Sequence, residues 1–285
     1  MNPLDEIAAP PGAAGSFGPL RYRFQPAPPA RCGAGLLVAV HGVRRNADEQ
    51  WEAFAEQALR AGCHLLVPCF DAHLYPDYQR LGRPQRGYRA DLHLIALVAG
   101  LAAQHGFDPA ELRLFGHSGG AQFVHRFVLA HPELVRRYAL SAAGWYTFPD
   151  DTLDYPLGTR HAPERFPRFD PLRYLRVPGR VFVGEREHAQ SPLLRRGERI
   201  DAAQGRDRRD RARRWVAAMG EAARAHALPA ALDLVELPGA AHSFRGLLRR
   251  TGLASCVVDY LFPAADAPGR RSSHKEDSHA LQPGA

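Results

Sequence analysis

One short segment has the residue types and spacing of an activated serine. Gly116-His117-Ser118-Gly119-Gly120 follows the pattern Gly-x-Ser-x-Gly, with a short strand signal before it and a helical hydrophobic pattern directly after it. Glycines on both sides leave room for a strained strand-to-helix turn. The amide of Gly119 would then lie at a helix N-terminus, where it can face a developing oxyanion. The segment therefore predicts a serine nucleophile at Ser118.

An acidic residue and a histidine follow two later predicted strands. Glu185 and Glu187 come after the strand predicted at 180–184, and His242 comes after the strand predicted at 231–237. In a parallel sheet the reactive groups gather outside the carboxyl ends of the strands, so these side chains are expected near the serine. A serine hydroxyl is too weak an acid to ionise alone, and an imidazole must take its proton. A third group must hold the tautomer of that imidazole.

Alternating strand and helix patterns would position these residues. Strands are predicted at 20–24, 35–40, 64–68, 112–115, 137–142, 180–184 and 231–237, and helices at 48–61, 88–105, directly after residue 120, at 207–226 and at 245–262. This alternation predicts an α/β fold with a mostly parallel sheet and helices on both faces. The strand at 20–24 alternates apolar and basic residues before a proline cluster, which is typical of a sheet edge.

The chain has 285 residues, of which 45% are hydrophobic, and this is enough for a single domain with a sizeable core. We predict that this domain spans residues 20–263. Residues 1–19, rich in proline, glycine and alanine, are expected to form a disordered lead-in, and the polar segment 264–285 a disordered tail. Residues 149–178 lack any period and are expected to be irregular; they could form a small cap over the domain.

Together these motifs resemble those of the serine hydrolases with the α/β-hydrolase fold. The resemblance is greatest to the esterase, polyhydroxybutyrate-depolymerase-like and dienelactone-hydrolase-like branches. It covers about residues 35–262 and is most specific at His41-Gly42, at the segment 116–120 and at the segment 238–242. It implies the α/β-hydrolase fold for this chain.

The same resemblance implies a role for individual residues. Ser118 would be the nucleophile and His242 the general base and acid, while the backbone amides of Val43 and Gly119 would form the oxyanion hole. The family usually has an aspartate three residues after the glycine that ends the strand before the acid. Glu187 occupies that position here, and we expect it to be the orienting acid.

Other assignments of the acid stay open on the sequence. Glu185 is the second candidate, and Asp150, Asp151 and Asp154 follow the preceding strand, from which some hydrolases of this fold take their acid.

Further aromatic and histidine residues lie close to the predicted site in sequence. Trp145 and Tyr146 follow a strand on the same side of the sheet and could either wall a substrate pocket or pack in the core. His41 is expected to brace the oxyanion loop rather than to transfer protons, and His117 to pack beneath the serine turn.

The predicted function is hydrolysis of a small-molecule carboxylic ester through an acyl-enzyme on Ser118, without a cofactor or metal. The same residues could instead cleave a peptide or thioester, or transfer the acyl group to an acceptor other than water. A binding protein on a hydrolase scaffold is the alternative from another class.

The net charge of +7 comes from arginine, because Lys275 is the sole lysine. This usage suggests a genomic preference for arginine, and acidic residues interleave with the arginines of 195–214, so no nucleic-acid partner is expected. No apolar run reaches the roughly 18 residues of a membrane span, and the N-terminus lacks the pattern of a signal peptide. We therefore expect a cytoplasmic protein without a membrane partner. Four cysteines without a Cys-x-x-Cys pair argue against a zinc site or disulfide framework.

Overall fold

A single sheet of eight strands runs through the part of the chain that the computed structural model describes, which is residues 12–29, 34–83, 85–160, 169–187 and 194–263. The strands are β1 (Ala13–Phe17), β2 (Leu20–Gln25), β3 (Leu36–Val40), β4 (His64–Cys69), β5 (Leu112–His117), β6 (Val135–Ser141), β7 (Gly179–Gly184) and β8 (Leu232–Leu237). Their order in the sheet is β1-β2-β4-β3-β5-β6-β7-β8. Strand β2 pairs antiparallel with β1 and β4, and the other neighbours pair in parallel.

Helices cover both faces of this sheet. They are α1 (Ala47–Ala61), α2 (Ala90–His105), α3 (Gly119–Ala130), α4 (Pro171–Tyr174), α5 (Glu198–Gln204), α6 (Arg208–Ala225), α7 (Phe244–Thr251) and α8 (Leu253–Leu261). Helices α2, α3 and α6 pack on one face, and α1, α7 and α8 pack on the other. The predicted mostly parallel α/β sheet is confirmed.

Strand β3 shows how the sequence builds the two cores. Leu36, Val38 and Val40 lie in one hydrophobic cluster, and Leu37 and Ala39 lie in the other. Successive side chains of a strand point to opposite faces, so a continuous apolar run is buried on both. This strand was predicted from its continuous apolar run. Because it is buried on both faces, it fixes the position of the loop that follows it, which belongs to the site.

The structure corrects the prediction at the N-terminal edge. Residues 13–17 of the predicted disordered lead-in form β1, so β2 is an inner strand and not the edge. Residues 1–11 and the predicted tail at 264–285 lie outside the described residues. Strand β1 has a mostly exposed, small-residue sequence, so its pairing with β2 leaves no hydrophobic pattern to detect.

Two further differences concern helices. The closing helix predicted at 245–262 is two helices, because Gly252 adopts a left-handed φ of 61° between them. Helix α5 lies in a stretch predicted as connection. In 149–178 the described residues are mostly turns with the short helix α4, as expected for an irregular segment; residues 161–168 lie outside the described part.

Candidate active site

Ser118 occupies the sharp turn between β5 and α3. Its φ of 54° and ψ of −108° are rare for a residue with a side chain, so the backbone there is strained. The Ser118 amide donates to the carbonyl oxygen of Ser141 at 2.7 Å, and the Gln122 amide donates to the Ser118 carbonyl at 3.2 Å. These bonds to β6 and within α3 hold the strained turn in place.

Glycines on both sides make this turn sterically possible. A Cβ added to Gly116 would overlap the carbonyl group of Gly120, and one added to Gly120 would overlap the carbonyl oxygen of Val40. Strand β5, helix α3 and the end of β3 therefore approach each other as closely as their backbones allow. The glycines predicted from the motif have a steric reason in the fold.

Glu187 and His242 meet beside this turn. The Glu187 side chain is buried, and its Oε2 and Oε1 lie 3.2 Å and 3.3 Å from His242 Nδ1. A hydrogen bond joins the loops that carry these two residues, because the Arg186 amide donates to the Ala240 carbonyl at 2.8 Å. With Nδ1 donating to the carboxylate, Nε2 of His242 carries the free lone pair. Of the acids considered on the sequence, Glu187 is the one that pairs with His242.

The alternative acids lie in other surroundings. Glu185 accepts a hydrogen bond from the Gly239 amide at 2.9 Å and is exposed. Asp150 accepts from the Thr152 amide, and Asp154 accepts from Arg160 at 3.0 Å. Asp151 is exposed on the same irregular segment.

Arg208, at the start of α6, is a member of the site that the sequence analysis missed. Its guanidinium is almost fully buried, with Nη1 3.8 Å from Glu187 Oε2. Burial lowers the pKa of Arg208, and Glu187 opposes that shift. Arg208 lies in a run of arginines with no motif around it, so nothing in the sequence separates it from its exposed neighbours.

The backbone amide of Val43 lies next to Gly119. A Cβ added to Gly119 would lie 2.9 Å from the Val43 nitrogen and 2.6 Å from the Tyr78 hydroxyl. The two residues predicted for the oxyanion hole are thus neighbours beside Ser118. Val43 lies on the loop after β3, and Gly119 lies at the N-terminus of α3.

His41 braces the loop that carries Val43. It is fully buried; its Nε2 accepts a hydrogen bond from the Phe70 amide at 3.0 Å, and its Nδ1 lies 2.9 Å from the Gly42 carbonyl. This pattern places the proton on Nδ1. Burial lowers the pKa of His41 to about 4, so the ring is neutral near pH 7.

Tyr78 and Arg45 complete the support of the same loop. The Tyr78 hydroxyl donates to the His41 carbonyl at 2.9 Å, and Arg45 stacks over the Tyr78 ring with Cζ 4.9 Å from the centroid. Arg45 also donates to the carbonyl oxygens of Phe70 and Tyr75. The long loop after β4 therefore buries aromatic side chains beneath the oxyanion loop.

His117 packs against the candidate base. Its ring is buried, with the centroid 5.1 Å from that of His242 and Nδ1 3.1 Å from the Ser141 hydroxyl. Burial holds the pKa of His117 well below its usual value, and the adjacent His242 and Arg208 lower it further. His117 is thus a neutral neighbour of His242, packed as the sequence analysis expected.

A cavity of about 870 Å³ opens onto the serine. It is lined by Gly42, Val43, Arg44, Asn46, Glu49, Gln50, His117, Ser118, His242, Ser243 and Phe244. The volume suits a small-molecule substrate, and the lining is more polar than that of a typical hydrophobic ligand pocket.

Trp145 and Tyr146, predicted as candidate walls of the pocket, do not line this cavity. Tyr146 is fully buried and stacks on Trp215 with ring centroids 4.6 Å apart, and the Gln204 side chain bonds both its amide and its carbonyl. It is a core residue. Trp145 lines a different cavity, described below.

In the described part of the chain, no group of three His, Cys, Asp or Glu side chains is arranged to hold a metal ion. Within those same residues, no helix has the length and apolarity that crossing a membrane requires.

Solved structures with the same fold are hydrolases and esterases. Poly(aspartic acid) hydrolase-1 from Sphingomonas sp. KT-1 is 23% identical, with a TM-score of 0.74 over 88% of this chain and 98% of that one. LpqC, a poly(3-hydroxybutyrate) depolymerase from Bordetella parapertussis, is 25% identical, with a TM-score of 0.69 over 87% and 88%. The esterase LipW from Mycobacterium marinum is 20% identical, with a TM-score of 0.55 over 85% and 76%. Models of protein families and curated protein sequences gave no match. The chain has the α/β-hydrolase fold.

Proposed function

We propose that the chain hydrolyses a carboxylic ester through a covalent acyl-enzyme on Ser118. One observation supports this most strongly. The buried Glu187 carboxylate lies 3.2 Å from His242 Nδ1, and His242 and the strained Ser118 line the same cavity. An acid, an imidazole and a hydroxyl in this relation can activate a nucleophile.

Acylation uses the free Nε2 of His242 as the base. Nε2 takes the Ser118 hydroxyl proton as Oγ attacks the ester carbonyl carbon, and the carbonyl electron pair moves onto its oxygen. The amides of Val43 and Gly119 donate hydrogen bonds to that oxyanion. When the tetrahedral intermediate collapses, the bond to the alcohol oxygen breaks, and the alcohol leaves with the proton from His242.

Deacylation repeats the sequence with water. Nε2 of His242 takes a proton from the water as its oxygen attacks the acyl carbon, and the bond to Ser118 Oγ then breaks. Oγ recovers the proton, and the carboxylic acid leaves.

The surroundings of His242 favour the imidazolium that forms in both steps. The Glu187 carboxylate neutralises it, and His117, whose pKa burial keeps low, adds no second positive charge beside it. A charged His117 at a ring distance of 5.1 Å would repel the imidazolium.

Steady-state hydrolysis of p-nitrophenyl esters with short acyl chains tests the proposal. Ser118→Ala and His242→Ala should each lower kcat by about 10³-fold or more while the folded structure is retained by circular dichroism. Ser255→Ala, an exposed serine on α8, is the matched control and should keep the wild-type rate. A wild-type rate in Ser118→Ala would overturn the proposal, and an inactive wild type that binds esters would favour a binding protein.

An amide substrate is the second candidate, since the neighbour from Sphingomonas sp. KT-1 is named a poly(aspartic acid) hydrolase. The same hydroxyl, imidazole and amides could act on a peptide bond. Comparing p-nitrophenyl esters with aminoacyl p-nitroanilides separates the two, and we expect the ester to have the higher kcat/KM.

A cytoplasmic location belongs to the same proposal. Its support is that Cys63, Cys69 and Cys256 are free thiols, which are typical of a reducing compartment. Fractionation of cells that express the tagged chain tests it.

A further inference from the structure

Three guanidinium groups surround the ring of Trp145. The Cζ atoms of Arg126, Arg195 and Arg80 lie 4.2, 5.0 and 5.5 Å from the ring centroid. Each can make a cation–π contact, but the three like charges repel one another. Such a cluster is costly unless an opposite charge offsets it.

Among the described residues, no carboxylate pairs with the buried Arg126. It is fully buried, and it donates to the Thr147 hydroxyl at 2.9 Å and to the Gln79 carbonyl at 2.6 Å. Its Nη2 is buried without a hydrogen-bond partner among the described atoms. The pKa of Arg126 is lowered to about 9, mainly by burial; Tyr155 opposes this shift, and Arg80 and Arg195 add to it.

Two other fully buried arginines each lie close to a carboxylate. Arg211 pairs with Asp201 at 2.7 Å, and Arg208 lies 3.8 Å from Glu187. Breaking a buried charge from its partner is strongly unfavourable, so the isolation of Arg126 calls for an external anion.

A cavity of about 410 Å³ adjoins three members of this cluster, Arg80, Trp145 and Arg195, while Arg126 lies behind them in the core. It is lined by Arg80, Trp145, Pro156, Leu157, Arg195, Arg196, Gly197, Glu198, Arg199 and Ile200. Among the described residues, the acids at this cavity are fewer than its four arginines: Glu198 lines it, and Asp201 accepts from Arg196 at 2.9 Å and from Arg211 at 2.7 Å. The cavity is strongly positive and has an aromatic wall.

We propose that this cavity binds a compact oxyanion, a carboxylate or a phosphate. Arg80 and Arg195 donate to its oxygens in the paired geometry that guanidinium groups offer, and its charge offsets that of the buried Arg126. The Trp145 ring lies against the bound molecule. The volume is within the range of small-ligand sites.

This site differs from the cavity at Ser118. The two cavities share no lining residue. Arg126 lies eight residues after Ser118 along the same helical stretch, an axial distance of about 12 Å. The anion can therefore be a free molecule or the distal carboxylate of a long substrate.

The first experiment measures binding alone and does not depend on the proposed function. The wild-type chain is titrated with citrate and with inorganic phosphate at low ionic strength, by isothermal calorimetry and tryptophan fluorescence. We expect saturable binding that weakens with salt, and at least tenfold weaker binding in Arg80→Ala and in Arg195→Glu. Arg224→Ala, an exposed arginine of α6 bonded only to a backbone carbonyl at 3.4 Å, should bind as the wild type does.

Two results would overturn the site. One is the absence of saturable binding of either anion to the wild type, and the other is equal affinity in Arg195→Glu and the wild type.

The second experiment distinguishes a free anion from the distal carboxylate of a substrate. It rests on the proposed esterase activity. It compares p-nitrophenyl half-esters of long dicarboxylic acids with neutral acyl esters of the same length. If the anion is part of the substrate, Arg195→Glu raises KM about tenfold for the half-ester alone. If KM is unchanged while citrate or phosphate still binds, the site takes a free anion. An inactive wild type would refute the esterase proposal and leave the binding result intact.

Discussion

The Glu187 carboxylate determines which ring nitrogen of His242 carries the proton. Because both carboxylate oxygens lie 3.2 to 3.3 Å from Nδ1, the Nδ1 tautomer is favoured and Nε2 is left as the base. Exchange of this carboxylate for an amide would keep the shape but lose the charge and the preference for that tautomer.

Glu187→Gln should therefore lower kcat by about 10³- to 10⁴-fold, with a smaller effect on KM. Glu185→Gln is the matched control two residues away; it removes a carboxylate that accepts only from the Gly239 amide and should stay within about threefold of wild type. Steady-state ester hydrolysis measures both. A larger loss in Glu185→Gln than in Glu187→Gln would show that the acid is misassigned.

Arg208 should act through Glu187 as a positioning residue. Arg208→Met leaves the buried carboxylate without its cation, and we expect about 3 kcal/mol lower stability together with a tenfold or greater fall in kcat. Arg211→Met removes a buried arginine from Asp201, which is partly exposed and keeps Arg196, and should lower stability without changing kcat in the folded protein. Urea unfolding and kcat, measured below the transition, separate the two effects. Equal kcat losses in both variants would mean that Arg208 has only a structural role.

The residues of the candidate site that belong to a motif could be predicted from the sequence. Those whose role depends on contacts between distant segments of the chain could not. Ser118 and His242 follow strands in recognisable segments. Arg208 and Tyr78 have no such signal, because their roles come from a helix start and a loop that the fold brings to the site. Trp145 and Tyr146 follow β6, but α5 and α6 cover Tyr146, and no local pattern predicts that packing.

At the level of secondary structure, the turn between β5 and α3 leaves no space for a side chain at Gly116 or Gly120. A Cβ on Gly120 would meet the backbone of β3, which cannot move without disturbing the centre of the sheet. On α6, by contrast, an added Cβ at Gly220 meets nothing within 4 Å.

Gly120→Ala should therefore lower the free energy of unfolding by about 3 kcal/mol, and Gly220→Ala should raise it by about 0.5 to 1 kcal/mol through helix propensity. Urea denaturation of both variants at the same pH tests this. Similar stability of the two would indicate that the turn relaxes, and that the close approach of β3, β5 and α3 is not needed.

Most elements could be predicted from their hydrophobic periods, and the misses have physical causes. A continuous apolar pattern spans α7 and α8, so the break at Gly252 is visible only in its left-handed backbone. Strand β1 is stabilised by its pairing with β2 and not by burial, so its sequence resembles that of an unstructured lead-in.

Over the whole molecule, four buried histidines link stability to pH. Burial lowers the pKa of His41 and of His64 to about 4, and holds the pKa of His117 and of His125 well below the ordinary value near 6.5. As the pH falls, these histidines therefore become protonated at a higher pH in the unfolded chain than in the folded protein. Stability is complete above about pH 6.5 and is lost between that pH and about 4.

Urea unfolding at pH 7.5, 6 and 5 should show this decline, with His41 alone contributing about 3 kcal/mol by pH 4. His64→Gln, away from the candidate site, should reduce the slope of stability against pH in this range. The account of the buried histidines would be wrong if stability stayed constant or rose between pH 7.5 and pH 5.

Labelling with a fluorophosphonate tests the central claim most directly, because the reagent reacts only with a serine that an adjacent base has activated. We expect the folded wild-type protein to gain a single adduct that maps to Ser118, and the adduct to be absent in Ser118→Ala and strongly slowed in His242→Ala. A folded protein that gains no adduct, or gains it on another residue, would contradict the proposal of a nucleophilic serine at position 118.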